Sequence, residues 1–572
     1  MKKKVLSLLL ALSFGAVILS GCTGGADDTK TTTTAAAKAD STKAADDKTE
    51  KSESAGDTAG EGGISAPGVY PIVDEKVDMT VFMTQVPAVT DYDDNRLTEY
   101  MEEKTNVRIT WQLVSANDRE QKLNLMLASG DALADVIMGG VPSPILVDYA
   151  DQGTFVSLTE LIDTQAPYLQ EVMKNYDGLR ELITAPDGEI YTMPNVTDDL
   201  ANRYSRRMWI NQVWLDALGL DIPETTDDLL NVLRAFRDDD PNGNGKKDEI
   251  PMMGSTDGWQ ASFERNLLNS FLLFQDRDNP YWIDNGEVKA TYDSEEYREG
   301  LRYLHTLVDE GLYDVSSFTQ DLPTFKKIFE NEECALVGAT PSGGPTSFGT
   351  TGSARKNEYV GLPPLKGPEG VQWAGYSPYG YMLYTNTFVV TSACENPAIA
   401  VKWADLLYEE ETAKRARWGV PGVDYEEAEP GKINNLGEPA EWKANIPWGS
   451  EQNSHWAGYN PTLEDFAQRA QKGTDPTDYP KSNYEVTMES YFEYTPPVEA
   501  ILMPMMFDAE TSARMNEIKA ILDPYIKESR EKFCTGSLDL ETDWDRYLEE
   551  LEKMDYKELI ELIQKRHDEL MG

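Results

Sequence analysis

Val77-Asp78-Met79-Thr80-Val81-Phe82-Met83 alternates apolar and polar residues through its first half, the period of a β-strand. A helical pattern around 97–104 follows, and Val107–Val114 reads as a second strand. Strand, helix, strand is the unit from which a parallel α/β sheet is built. Further along, 120–128 places Leu123, Met126 and Leu127 on one helical face and stops at Ser129-Gly130-Asp131. The chain re-enters a strand at Asp135-Val136-Ile137-Met138, with Gly139-Gly140 directly behind it. Ligands in open α/β sheets bind outside the carboxyl ends of the strands, so such turns are where a site is expected.

Downstream, 188–195 is a turn followed by a strand, and Met208-Trp209-Ile210-Asn211 is a strand feeding a helix over 212–218 that Gly219 stops. A first passage between lobes is expected near 194–206. Thr226 is placed to cap a helix bearing Leu229, Leu230, Leu233 and Phe236. Helices are also expected at 297–310 and 324–332, a strand at Thr387-Phe388-Val389-Val390, and a helix opening at Asn396-Pro397-Ala398. The stretch from Ala509 is helical with one break near Thr535-Gly536. No repeat of solenoid period is present.

Towards the amino terminus, Lys2, Lys3 and Lys4 precede an apolar run over 5–19, a secretion signal too short to span a bilayer comfortably. It ends in Leu19-Ser20-Gly21-Cys22, which resembles the bacterial lipobox. Cys22 is therefore expected to be lipidated and to begin the mature chain, two acyl chains giving stable attachment. Residues 23–68 contain one large apolar residue, Ile64, and cannot offset their ordering entropy. They form a tether with an end-to-end distance of about 35–40 Å. The roughly 500 residues beyond it exceed what one core supports. Loss of the three signal lysines takes the formal charge from −48 to −51, a surface that repels nucleic acid and anionic lipid. Cys334, Cys394 and Cys534 form neither a disulfide framework nor a metal cluster, although one bridge stays open. His305, His455 and His567 lack metal-ligand spacing.

Taken in order, Leu125-Met126-Leu127-Ala128-Ser129-Gly130-Asp131, Trp214-Leu215-Asp216-Ala217-Leu218-Gly219-Leu220, the Asn-Gly-rich loop at 240–251, Asn396-Pro397 before a helix, and Gly419 through Tyr425 resemble the extracellular solute-binding proteins of family 1. Within that family the likeness is to the large lipoproteins related to the alginate-binding protein. The resemblance implies a two-lobed α/β fold of the periplasmic-binding type II kind, with a hinge and a helical C-terminus. It implies no enzyme, but a monomeric binding subunit of an ABC importer, held by its lipid on the outer face of the cytoplasmic membrane, passing a carbohydrate to the permease's transmembrane subunits. The layout expected is signal 1–21, tether 22–70, first lobe 71–195 with 386–425, second lobe 196–385 with 426–508, and terminal helices 509–572 packing on the lobes.

Asp240-Pro241-Asn242-Gly243-Asn244-Gly245-Lys246-Lys247-Asp248-Glu249 carries oxygen side chains at loop positions one, three and five, glycine at six and a carboxylate at nine. Such spacing converges on a hard cation, which makes structural calcium the expected cofactor, with Asp240, Asn242, Asn244, the Lys246 carbonyl and Asp248 as ligands. Pro251 stands where the EF-hand pattern wants a glutamate, and the resemblance makes Glu249 its substitute. The alternative is a solvated Asn-Gly turn.

Aromatic rings in loops broken by Gly and Pro are the other clue, because sugar rings present apolar C–H faces to aromatic planes. Trp259, Trp373, Tyr376, Trp418, Trp448 and Trp456 are the candidates for stacking, each weighed against packing in a core, with Asp118 and Arg207 as polar partners. Trp111 and Trp403 lie in strand and helix patterns and are assigned to the core. Peptide binding is the competing ligand class. A glycosidase carboxylate pair is the enzymatic rival, although no nucleophile elbow, phosphate loop or dinucleotide loop occurs.

Overall fold

Strand β1 (Val77–Thr84) is buried on both faces from Val81 onward. Val81 and Met83 enter one core and Phe82 another. Burial on both faces marks an inner strand, and β1 runs parallel to β2 (Val107–Val114) along its whole length and parallel to β3 (Val136–Met138) on its other side. Asp135 fastens the entry to β3, its Oδ2 accepting from both Thr80 N and Thr80 Oγ1 at 2.7 Å. Between β1 and β2 the helix Arg96–Thr105 is capped by Asn95, whose side chain accepts from Leu97 N, and ended by left-handed Asn106. The sheet is completed by β11 (Leu383–Val390), antiparallel to both β3 and β4 (Thr192–Val196), in the order β2-β1-β3-β11-β4.

These coordinates are a computed structural model that describes residues 63–116, 118–130, 133–176, 178–196, 203–274, 280–350, 353–377, 383–434, 437–446, 450–458, 461, 469–472 and 483–571. The signal segment, Cys22, most of the tether and Trp448 lie outside the described residues.

A second sheet has the order β10-β5-β9-β6. Its strands are β5 (Met208–Asn211), β6 (Ile250–Met252), β9 (Val337–Pro341) and β10 (Tyr359–Leu362), with β6 and β9 parallel and β5 antiparallel to both neighbours. The chain thus leaves the first sheet after Val196, builds the second together with the antiparallel hairpin β7 (Tyr281–Asp284) and β8 (Glu287–Ala290), and returns at β11. The helix Thr226–Asp238 is capped one residue earlier than the sequence suggested, by Thr225 in a reciprocal capping box with Asp228. Leu229, Leu233 and Phe236 face a core shared with Leu301, Leu304, Leu522, Phe533, Leu551 and Leu559. The terminal helices Ala509–Cys534, Trp544–Lys553 and Tyr556–Met571 therefore complete the second core. Arg566 reaches from the last of them to Met506 O at 2.9 Å, and Met506 packs with Phe82, Ile137 and Val389 behind the first sheet.

One expected boundary is corrected. Residues 426–508 do not all join the second lobe. The hairpin β12 (Tyr425–Glu427) with β13 (Trp442–Ala444) sets Trp442 against Ala413 and Trp418. Gln452 N donates to Ala88 O at 2.8 Å, and Trp456 lies in the first core. Burial of these two rings against the helices of 397–418 holds that stretch on the first sheet.

The first described residues also dock there. Ser65 N donates to Ile72 O, and Ile72 N to Thr105 O. Lys402, 1% exposed in the helix Pro397–Asp405, donates from Nζ to Ser65 O and Ala66 O, each at 2.8 Å. Three residues along, the buried Asp405 accepts from Leu169 N at 2.8 Å and Tyr168 N at 3.3 Å.

Burial pushes the Asp405 carboxyl up to about 7, against the pull of those two N–H donors and of Lys402. A folded-state value above the unfolded one means a contribution that is full below about pH 4 and lost as pH rises through about 7. Asp405→Asn should remove that slope, so that the variant gains stability relative to wild type between pH 4 and pH 8. Urea midpoints at the two pH values test this, and parallel pH profiles would refute it.

Candidate functional site

The carboxyl ends of β6 and β9 and the entry to β5 meet at one edge of the second sheet. Arg207, just before β5, is wholly buried: Nη1 donates to Gly343 O and Nη2 to Thr487 Oγ1, both at 2.6 Å. Ser342 N donates to Arg207 O, and Gly343 N to Trp259 O, both at 2.9 Å. The half-buried Trp259 ring lies directly on Gly343, where an added Cβ would sit 2.3–2.6 Å from three ring carbons, so only glycine fits. Arg207 thus stands behind the surface and not on it.

Next to this edge the segments 203–207, 373–377 and 487–495 are stitched together. Ala374 N donates to Tyr494 O at 2.8 Å, Trp373 N to Asn269 O at 3.1 Å, and Ser377 N to Arg203 O at 2.9 Å. Tyr376 is buried against Tyr204, centroids 4.9 Å apart, and Tyr204 in turn meets Phe492 at 6.2 Å. Tyr204 Oη lies 2.6 Å from Thr495 Oγ1. Phe492 keeps 49% of its surface exposed, and Trp373 is half-buried. Tyr376 is therefore the back of a cluster of tilted aromatic rings whose open face is Phe492. Tyr204 and Phe492 escaped the sequence reading because neither sits beside Gly or Pro; their signal is the aromatic pair Tyr491-Phe492 before a Pro-Pro turn.

At the first sheet, Asp118 stands past the carboxyl end of β2, before the helix Arg119–Ser129, its side chain 54% exposed and 3.7 Å from Lys122 Nζ. Beyond β3, Asn386 Nδ2 donates to Val141 O and Ser143 Oγ, each at 2.9 Å. Arg119 lies over the Phe82 ring and donates to Gly140 O.

Two expected stacking rings lie elsewhere. Trp456 has no exposed surface; it packs on Trp403 at 5.7 Å and Trp111 at 5.3 Å, and donates from Nε1 to Thr98 Oγ1 at 2.9 Å. It is a core residue. Trp418 forms a separate cluster with Trp442, Tyr425 and Ala413, its ring 4.7 Å from that of Trp442.

The Asp240 loop is folded around its own oxygens. Asp240 Oδ1 accepts from Asn244 N and its Oδ2 from Gly245 N, Asn242 Oδ1 from Asn244 N, and Asn244 Oδ1 from Lys246 N, at 2.7–3.1 Å. Gly243 and Gly245 take positive φ, which the tight turn needs. Asp248 Oδ1 accepts from Asn244 Nδ2 at 2.9 Å, which holds its carboxyl below the usual range. Burial and, behind it, the charges of Asp240 and Asp248 raise that of Glu249, whose buried Oε1 has no hydrogen-bond partner. Among the described residues no group of three His, Cys, Asp or Glu side chains is gathered to hold a metal. A cation here would draw on amide and main-chain oxygens as well, and the partnerless Glu249 oxygen fits such a role.

The profile of bacterial extracellular solute-binding proteins matches residues 84–414. The chain belongs to that family. As a whole, this solute-binding protein is similar to the fructooligosaccharide ABC transporter substrate-binding protein FusA of Streptococcus pneumoniae, 27% identical over 517 residues, which are 87% of this chain and 91% of the relative. A solved structure of a FusA EF-hand mutant in complex with fructo-nystose aligns with a TM-score of 0.67 at 25% identity, covering 86% of this chain and 99% of that one. A human-milk-oligosaccharide-binding solute-binding protein from Bifidobacterium longum infantis shares the fold, with a TM-score of 0.73 at 24% identity over 86% of this chain and 99% of that one. The two-lobed type II architecture expected from the sequence is that of these neighbours.

The core position of Trp456 carries its own test. Trp456→Ala should destabilise the protein by about 3–5 kcal/mol, the cost of emptying a large aromatic site in a packed core. A denaturant midpoint within error of wild type would contradict it.

Proposed function

We propose that this solute-binding protein captures an oligosaccharide outside the cytoplasmic membrane, lipid-anchored through Cys22, and passes it unaltered to the permease of an ABC importer. The observation that carries the reading is the set of aromatic rings at one end of the second sheet: Trp259 laid on Gly343, Trp373, and the Tyr376–Tyr204 pair presenting Phe492. Flat, partly exposed rings suit the C–H faces of sugar rings. FusA, named for fructooligosaccharide, supports the same ligand class over nearly the full chain. Asp118 supplies a polar partner from the first lobe, and closure of the lobes brings it toward the rings. The work of the site is binding: the relatives are substrate-binding proteins, and the aromatic edge needs no acid, base or nucleophile for that task.

Trp259→Ala and Phe492→Ala should each weaken sugar binding by about 1–4 kcal/mol while leaving the melting temperature nearly unchanged. Calorimetry against fructooligosaccharides, milk oligosaccharides and peptides tests this. Tight peptide binding with no sugar binding would replace carbohydrate as the ligand. Hydrolysis of the bound sugar, abolished by one Asp or Glu substitution, would replace binding by catalysis.

The Asp240 loop is assigned to a structural calcium ion, held by Asp240, Asn242, Asn244, the Lys246 carbonyl, Asp248 and Glu249. Calcium there offsets the mutual repulsion of three carboxylates and fixes the turn that leads into β6. The FusA structure described as an EF-hand mutant supports a cation loop among relatives. Binding to the folded state alone raises stability with the logarithm of free ion concentration. A chelator should therefore lower the melting temperature, and Asp240→Ala or Asp248→Ala should abolish the response. A wild-type protein with no retained calcium by metal analysis and no chelator effect would dismiss the assignment.

A further inference from the structure

Arg207 joins two parts of the aromatic edge that share no strand. Through Nη1 it holds Gly343 O, and the Trp259 ring rests on Gly343. Through Nη2 it holds Thr487 in the helix Asn483–Ser490. That helix leads to Tyr491, whose hydroxyl accepts from Met208 N at 3.0 Å and donates to Leu362 O at 2.5 Å, and then to the exposed Phe492. The backbone beside Trp259 is also constrained. Gln260 takes φ 56° with 2% of its surface exposed, held by Arg265 Nη1 on its Oε1 at 2.9 Å. A non-glycine residue in that conformation is costly and persists where its surroundings fix it.

We propose that Arg207 is a positioning residue, which sets the orientation of Trp259 and its spacing from Phe492 and so matches the two rings to successive units of an oligosaccharide. The inference rests on the reading of this edge as a carbohydrate site. The planar guanidinium fork spans Gly343 and Thr487 at once with fixed geometry; a lysine ammonium keeps the charge and loses the fork. A buried arginine serving only the stability of the lobe would lower the melting temperature when replaced and leave Trp259 where it is.

The test uses the whole chain labelled with 5-fluorotryptophan, the Trp259 fluorine resonance being identified by its loss in Trp259→Phe. Without sugar, Arg207→Lys and Thr487→Val should each shift or broaden that resonance, while the Trp403 and Trp544 resonances, identified in the same way, stay in place. With fructooligosaccharides of three to five units as the probe, Arg207→Lys should weaken binding at least about tenfold, and adding it to Trp259→Ala should cost little more than Trp259→Ala alone, as coupled residues behave. An unmoved Trp259 resonance in Thr487→Val and Arg207→Lys, or additive losses of affinity, overturns the proposal. If Arg207→Lys does not fold, Thr487→Val decides it. If the wild type binds none of these sugars, that counts against carbohydrate as the ligand, and the resonance comparison still decides what Arg207 does.

Discussion

The pairing of β11 with β3 and β4 is the contact on which the architecture depends. Met138 faces Phe388 and Ile137 faces Val389, across about 250 residues of sequence. Without that strand β4 has no neighbour in the first sheet. Everything from β5 to β10 is thereby an insertion between two adjacent strands, and the second sheet must begin and end close to one edge of the first. The antiparallel strands β5 and β11 follow from this: each runs against its parallel neighbours because the chain crosses between sheets rather than over one of them.

Local periodicity made the first sheet readable. β1, β2, β3 and the two helices between them each carry their own pattern and stop signal, so the strand-helix-strand unit is visible within short windows. The lobe to which 426–458 belongs was not readable, because its allegiance rests on Trp442 and Trp456 finding partners in helices already formed elsewhere. The terminal helices were plain in the sequence as helices. That they finish the second core, with Leu522, Phe533 and Leu559 beside Leu229 and Leu301, is a tertiary fact that no helical period encodes.

The aromatic residues show the same division. Glycine within two residues of tryptophan marked an irregular backbone correctly at both Trp259 and Trp456, yet one ring lies on a glycine near the surface and the other is sealed between two tryptophans. Irregular backbone does not say which way a ring turns. The difference is made by what covers it: Trp403, Trp111 and Thr98 for Trp456, and for Trp259 a strand end with a buried arginine behind it. The Asp240 loop was legible for the opposite reason. Its ligand-type oxygens, turns and glycines all lie within ten consecutive residues, and its hydrogen bonds are almost all internal.

The clamp of Lys402 on Ser65 and Ala66 has a mechanical meaning. Any pull on the chain upstream of these carbonyls enters the body at the helix Pro397–Asp405, deep in the first core, through two hydrogen bonds to a single buried ammonium. The amino-terminal segment is thus gripped by the core that holds Trp403 and Phe388, the one that carries the five-stranded sheet.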